Sequence, residues 1–169
     1  MALIKNNRIV EDHWITVGEE DPLPANAPIL VSLEVWRNRH NELLSRGAPL
    51  GVVLESDALA EAVEVDLPQL ALVAINFPSF GDGRGFSTAR ILRERYGYSG
   101  ELRAAGYVIR DQVTFLKRCG FDAFEFSDAQ SLAPWQKVER EINVVYQPTG
   151  DYKPTAMQRR HSLTAAAAE

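Results

Sequence analysis

Cysteine occurs once, at Cys119, so no internal disulfide can form; this fits a reducing compartment. A lone cysteine also cannot ligate an iron–sulfur cluster. The histidines His13, His40 and His161 lie far apart in the chain, which argues against a clustered zinc site, and no metal is expected. No apolar run approaches the ~18 residues that suggest a membrane span. The opening residues, 1–5, lack the apolar core of a signal peptide, so the expected location is the cytoplasm. Net charge is −5 and the sequence pI about 5.3, a balance that argues against general nucleic-acid or acidic-membrane binding.

Cofactor signatures are missing too. No phosphate-loop Gly-Lys-Ser/Thr occurs. Gly81, Gly83 and Gly85 do not make the dinucleotide spacing, because position 86 is Phe. Glu101 follows Gly81 by twenty residues, but it opens its strand, whereas a ribose-binding acid stands at a strand end. The residues therefore leave any cofactor unknown.

What the chain has is alternation. With 169 residues, 46% of them apolar and 24% charged, one domain is the default. Leu3-Ile4 and Arg8-Ile-Val10, separated by asparagines, read as a small hairpin that residues 14–17 extend. A polar, proline-broken loop follows, so residues 1–27 read as an N-terminal β appendage. Short apolar runs then open at Ile29, Leu50, Leu70, Glu101 and Phe121. Helical patterns separate them, capped by Ser32, by Ser56 or Asp57, by Ser87, by Asp111 and by Asp128. Five βα units imply an α/β fold with a mainly parallel sheet. Two architectures fit: an open three-layer sheet with helices on both faces, or a curved partial TIM-like barrel with helices outside. The barrel leaves edges that the appendage or a second subunit, as in a homodimer, would cover. The α/β domain is expected over residues 1–146, with residues 147–169 as an extended or disordered tail.

Both architectures put function at the C-terminal ends of strands. The turn Phe80-Gly-Asp-Gly-Arg-Gly-Phe-Ser-Thr-Ala-Arg90 lies at such an end, between a strand and a helix. A glycine-rich turn into a helix start presents free N–H groups to an anion. Between positions 81 and 112 stand six arginines and no lysine; the planar guanidinium suits oxyanions. An oxyanion or phosphate site is thus read from Gly81, Asp82, Gly83, Arg84, Gly85, Ser87 and Arg90. Arg110 would act as a second clamp if it faces the turn. Arg93 and Arg95 read as a solvated helix face. Arg103, Arg110, Asp111 and Gln112 read as polar groups near the rim of the next strand. Asp82 and Asp111 are the candidates for acid/base chemistry. The blander readings are a turn that needs glycine, a helix capped by Asp111, and a Cys119 that is a buried hydrophobe.

The same turn, together with Tyr98-Ser-Gly-Glu-Leu-Arg-Ala-Ala-Gly106, Asp111-Gln112 and Gly120-Phe-Asp122, resembles a bacterial family of unknown function. The likeness runs over residues 29–146. Genes of that family commonly lie beside those for sulfite reductase and assimilatory sulfate reduction, and its members are often labelled oxidoreductases of sulfite reduction. The resemblance implies an accessory protein of sulfite reduction that contacts sulfite reductase or another sulfur-assimilation protein and binds a small anionic ligand. It brings no catalytic residues with it. Two other readings compete: an independent small enzyme using a phosphate-bearing substrate or flavin, and a structural binding module without catalysis.

Overall fold

The structure, a computed structural model, describes residues 2–5, 8–126, 144–149 and 153–166. Eight strands make one sheet: β1 (Ala2–Lys5), β2 (Arg8–Val10), β3 (Ile15–Val17), β4 (Ile29–Ser32), β5 (Leu50–Glu55), β6 (Leu70–Phe77), β7 (Glu101–Gly106) and β8 (Ala123–Phe126). Their spatial order is β2-β1-β8-β7-β6-β5-β4-β3. From β3 to β8 every neighbour is parallel, while β1 is antiparallel to both β8 and β2. The parallel order never reverses. A doubly wound sheet needs a reversal to bring helices to both faces; successive right-handed crossovers without one put all connections on a single face.

The sheet must also curl. Only residues 11–14 separate the end of β2 from the start of β3, at opposite edges. Such a connection spans at most about 18 Å, whereas eight flat strands would hold their outer members about 33 Å apart. The connection crosses the face away from the helices. The Trp14 ring reaches β5, where a Cβ at Gly51 would lie 3.0 Å from the ring, from Leu30 and from Leu72. Glycine at this position is what lets the indole lie against the sheet.

Strand alternation assigns the rest of the packing. Ile29, Val31, Val52, Leu54, Val73, Ile75, Leu102 and Phe124 point to the main core, where Trp36, Leu43, Ala89, Leu92 and Leu116 of the connections meet them. The helices are short: α1 (Leu33–Asn38), α2 (His40–Leu44), α3 (Arg84–Arg90), which runs into a π-helical turn at Ile91–Arg95, and α4 (Val113–Arg118). Ser32 caps α1 as its position suggests, accepting a hydrogen bond from the Val35 amide at 3.2 Å. The segment expected as a helix from Ser56 or Asp57 is instead a 3₁₀ run over Ala60–Gln69, with Pro68 inside it withholding an amide donor.

Several expectations change. Residues 1–27 are not an appendage: β1 and β2 extend the sheet beyond β8, and β3 extends it beyond β4. The tail contains a helix, α5 (Ala156–Ala166). Thr155 and Gln158 cap its start reciprocally, at 2.8 and 3.3 Å. The helix expected after Asp128 lies outside the described residues. Arg103 is not on a rim. It sits inside β7 with its side chain 1% exposed, on the face crossed by the β2–β3 connection. Its Nη1 donates to Asp12 Oδ2 at 2.8 Å and to Glu125 Oε1 at 3.0 Å, and its Nε donates to Glu101 Oε1 at 2.8 Å. Lys5 Nζ donates to the other Glu101 oxygen at 2.6 Å. Burial works against the charge on Arg103, but Glu101 and Asp12 outweigh it and raise its pKa. Arg93 is likewise no solvated residue. It donates to the carbonyls of Tyr98, Gly100 and Gly120 and to the Asp122 carboxylate.

Arg103→Met leaves three carboxylates around an apolar side chain and is expected to destabilise the protein by about 3–5 kcal/mol, the range for orphaning buried charge. Asp12→Asn keeps the shape of the contact and loses about 1–2 kcal/mol. Urea unfolding at pH 7 measures both; equal losses would contradict this ranking.

Candidate functional site

Strands β5 and β6 are parallel neighbours, so the loops that leave their C-terminal ends meet. After β5 comes Ser56; after β6 comes the turn that carries Asp82 and Arg84. The three side chains close a small network. The Ser56 hydroxyl donates to Asp82 Oδ2 at 2.6 Å. Arg84 Nη2 donates to the same oxygen at 2.7 Å and to Ser56 Oγ at 3.1 Å. Arg84 Nε donates to Asp82 Oδ1 at 3.0 Å, and the Arg84 amide reaches that oxygen at 3.2 Å. Within the network the Asp82 side chain is 13% exposed and that of Arg84 is 62% exposed.

These contacts decide the chemistry of Asp82. Hydrogen bonds from Arg84 and then from Ser56 hold its carboxyl well below the usual carboxylate range. Both Asp82 oxygens are engaged by Arg84, and one of them also by Ser56. Asp82 acts as a positioning residue that fixes the plane of the Arg84 guanidinium. It also caps the first helical amide with a carboxylate of the chain's own, the position expected for an external anion.

The three glycines differ. A Cβ at Gly81 would meet nothing within 4 Å, and one at Gly83 would make ordinary contact with the Phe86 ring. A Cβ at Gly85 would lie 2.8 Å from Ile75 Cγ2 and 3.0 Å from the Phe77 ring, so Gly85 is what allows α3 to press on β6. Gly81 is exposed with open space where a side chain would stand, whereas Gly85 is buried packing.

The other candidates lie apart from this network. Ser87 is exposed within α3 and is not its cap; the helix begins three residues earlier, with Gly83 at the capping position. Arg90 pairs with Glu94 one helical turn on, at 3.0 Å. Arg110 pairs with Asp111 at 3.4 Å, and none of its described bonds reaches the glycine turn. Asp111 is 77% exposed and does not cap its helix, where Gln112 accepts from the Ile109 amide instead. Cys119 is buried, and burial pushes its thiol up to about 11, so it is an inert packing residue. Among the described residues no group of three His, Cys, Asp or Glu is placed to hold a metal ion, and no helix is long and apolar enough to cross a membrane.

Sequence reasoning missed Ser56 as a partner of Asp82. The signal lay in topology, since residues just past the ends of adjacent parallel strands become neighbours. Two measurements check these assignments. Gly85→Ala is expected to lower stability by about 1–3 kcal/mol through overpacking, while Gly81→Ala changes it by less than about 0.5 kcal/mol; thermal melts compare them. Asp82 has a lower pKa folded than its ordinary 3.8, so its contribution is present above that pH and is lost as pH falls through the folded value. The stability difference between the natural protein and Asp82→Asn should therefore be constant from about pH 5 to 8 and shrink below about pH 4. A gap that widens in acid would refute the assignment.

Residues 51–157 match the family model described as a bacterial protein of unknown function, DUF934. No curated protein matches the chain. The match takes in β5 to β8, the Ser56–Asp82–Arg84 network and the start of α5. It spans more than half of the sequence, so the chain belongs to the DUF934 family of bacterial proteins.

Proposed function

We propose that this protein is an accessory protein of sulfite reduction or assimilatory sulfur metabolism. In this reading it binds an oxyanion or a phosphorylated ligand at the turn from Gly81 to Arg84 and works against a reductase component in the cytoplasm. The observation that carries the binding site is the state of Arg84. Asp82 and Ser56 hold its guanidinium on one side, yet its side chain stays 62% exposed. A guanidinium fixed in this way loses little side-chain freedom when an anion arrives, which favours binding over a mobile surface arginine. The pathway rests on the resemblance of the motif cluster around this turn.

The competing reading as an independent enzyme would take Asp82 or Asp111 as its acid/base group; Asp82 is already engaged by Arg84 and Ser56, and Asp111 is exposed beside Arg110. The structural module without a ligand has one observation in its favour: two donor nitrogens of Arg84 are already directed at Asp82.

Thermal melts in sulfate, sulfite and inorganic phosphate separate these readings. At tenfold excess over the dissociation constant a ligand stabilises by about 1.4 kcal/mol. For a chain of this size that raises Tm by about 3–5 °C. Arg84→Ala should abolish the rise and Gly81→Ala should preserve it. No rise with any of the three anions, or an equal rise in Arg84→Ala, would favour the module without a ligand. Recovery of sulfite reductase with the native-level protein from sulfate-grown cells tests the partner separately.

A further inference from the structure

The C-terminal rim carries a second feature, a groove of about 770 Å³ at the ends of β4 and β5 and the start of the 3₁₀ run. Leu33, Val53 and Leu59 give it apolar lining, and Glu34, Asp57 and Glu61 give it charge. Leu59 is 70% exposed, an apolar side chain that folding leaves in water. Glu55 also lines the groove and accepts a hydrogen bond from Asn76 at 2.7 Å. The lining therefore holds four carboxylates against one guanidinium, that of Arg37. Little of this charge is neutralised among the described residues. Glu34 has no ion pair there, Asp57 acts on Arg84 through its charge without an ion-pair contact, and Glu61 meets Arg95 only at 3.8 Å.

Three occupants can be weighed against these facts. A free oxyanion would face four carboxylates. A metal ion lacks its ligand geometry among the described residues. A neutral apolar molecule would bury Leu59 but leave the carboxylates unused. A cationic chain segment with an apolar side chain answers both features, and charge complementarity of this kind steers association and selects partners. We propose that the groove docks a lysine- or arginine-bearing segment of a partner protein. An apolar side chain of that segment packs against Leu59 and Val53, and its cations face Glu34, Asp57 and Glu61. This rests on the accessory-protein reading and supplies the chemistry of the partner. Its test uses no oxyanion, and the Leu59 variant leaves Arg84 and the charges around it unchanged, so it fails or succeeds apart from the anion site.

The probe is a fluorescent twelve-residue peptide of lysine, leucine and glycine, titrated with the full chain and followed by anisotropy. Its counterpart carries glutamate in place of lysine. The lysine peptide should bind, and the glutamate peptide should not. Leu59→Ser, and separately the pair Asp57→Asn with Glu61→Gln, should each weaken binding at least tenfold. The pair Glu11→Gln with Glu20→Gln, which removes two exposed charges outside the groove, should change it less than twofold. The proposal is overturned if the lysine peptide does not bind, if the glutamate peptide binds as well, if either groove variant binds normally, or if the control pair loses as much as the groove pair. Leu59 is exposed, so its substitution leaves the core intact, and a melt verifies that the variant is folded.

Discussion

Four residues that bridge two edges of an eight-stranded sheet constrain everything else in this molecule. A connection of at most about 18 Å cannot serve a flat sheet of that width. The curl is therefore written into chain length before any side chain is considered. The side chains then make it stable. Trp14 lies over Gly51, and Asp12 accepts from both terminal nitrogens of a guanidinium that β7 has turned inward. The two ends of the connection are thus fixed to β5 and β7, near the middle of the sheet. In a fold with helices on both faces, a further helix layer would cover this surface. Here a short strap and a buried ion cluster do so, and for that reason an arginine can be 1% exposed without being unpaired.

Much of the fold is legible in the sequence because its period changes. Apolar runs of a strand's length, each followed by a capped helical pattern, announce parallel strands, and the serine before α1 caps it as expected. The choice between a doubly wound sheet and a singly wound, curled one is not legible, since each strand looks the same in both. That choice depends on which strands lie at the edges, a property of the whole chain. The same gap explains the N-terminal residues. Leu3-Ile4 and Arg8-Ile-Val10 can be read as strands, but nothing local says that β1 will join β8, more than a hundred residues away.

Arginines are the residues most easily misread. The solvated-face reading of Arg93 and Arg95 holds for Arg95, and Arg90, read into the anion site, pairs with Glu94. Arg93 and Arg103 depart from their readings for one reason. Each finds several acceptors that only tertiary structure assembles: three carbonyls and Asp122 for Arg93, and three carboxylates for Arg103. A single i,i+4 glutamate predicts a surface pair; no spacing rule predicts a fork filled from three different elements. The candidate site shows the same division. The glycine–arginine turn stands out in one dimension, but the pairing of Ser56 with Asp82 exists only because β5 and β6 are neighbours.

That pairing changes what the turn can do. A bare glycine turn would offer amide hydrogens, and its natural ligand would be any anion of suitable size. With Asp82 in place, the chain supplies its own anion to the first helical amide and to two nitrogens of Arg84. What is left for an outside group is the exposed remainder of the guanidinium. The hydrogen bonds to Asp82 foremost, and the charge of Asp57 after them, favour the charged form of Arg84, and Asp57 would repel an oxyanion that approached it. Under the proposed reading, an anion would put its negative charge at the outer edge of Arg84 and away from the acidic groove beside β5. One rim thus sets an exposed guanidinium, already paired with Asp82, near an acidic groove that contains Asp57.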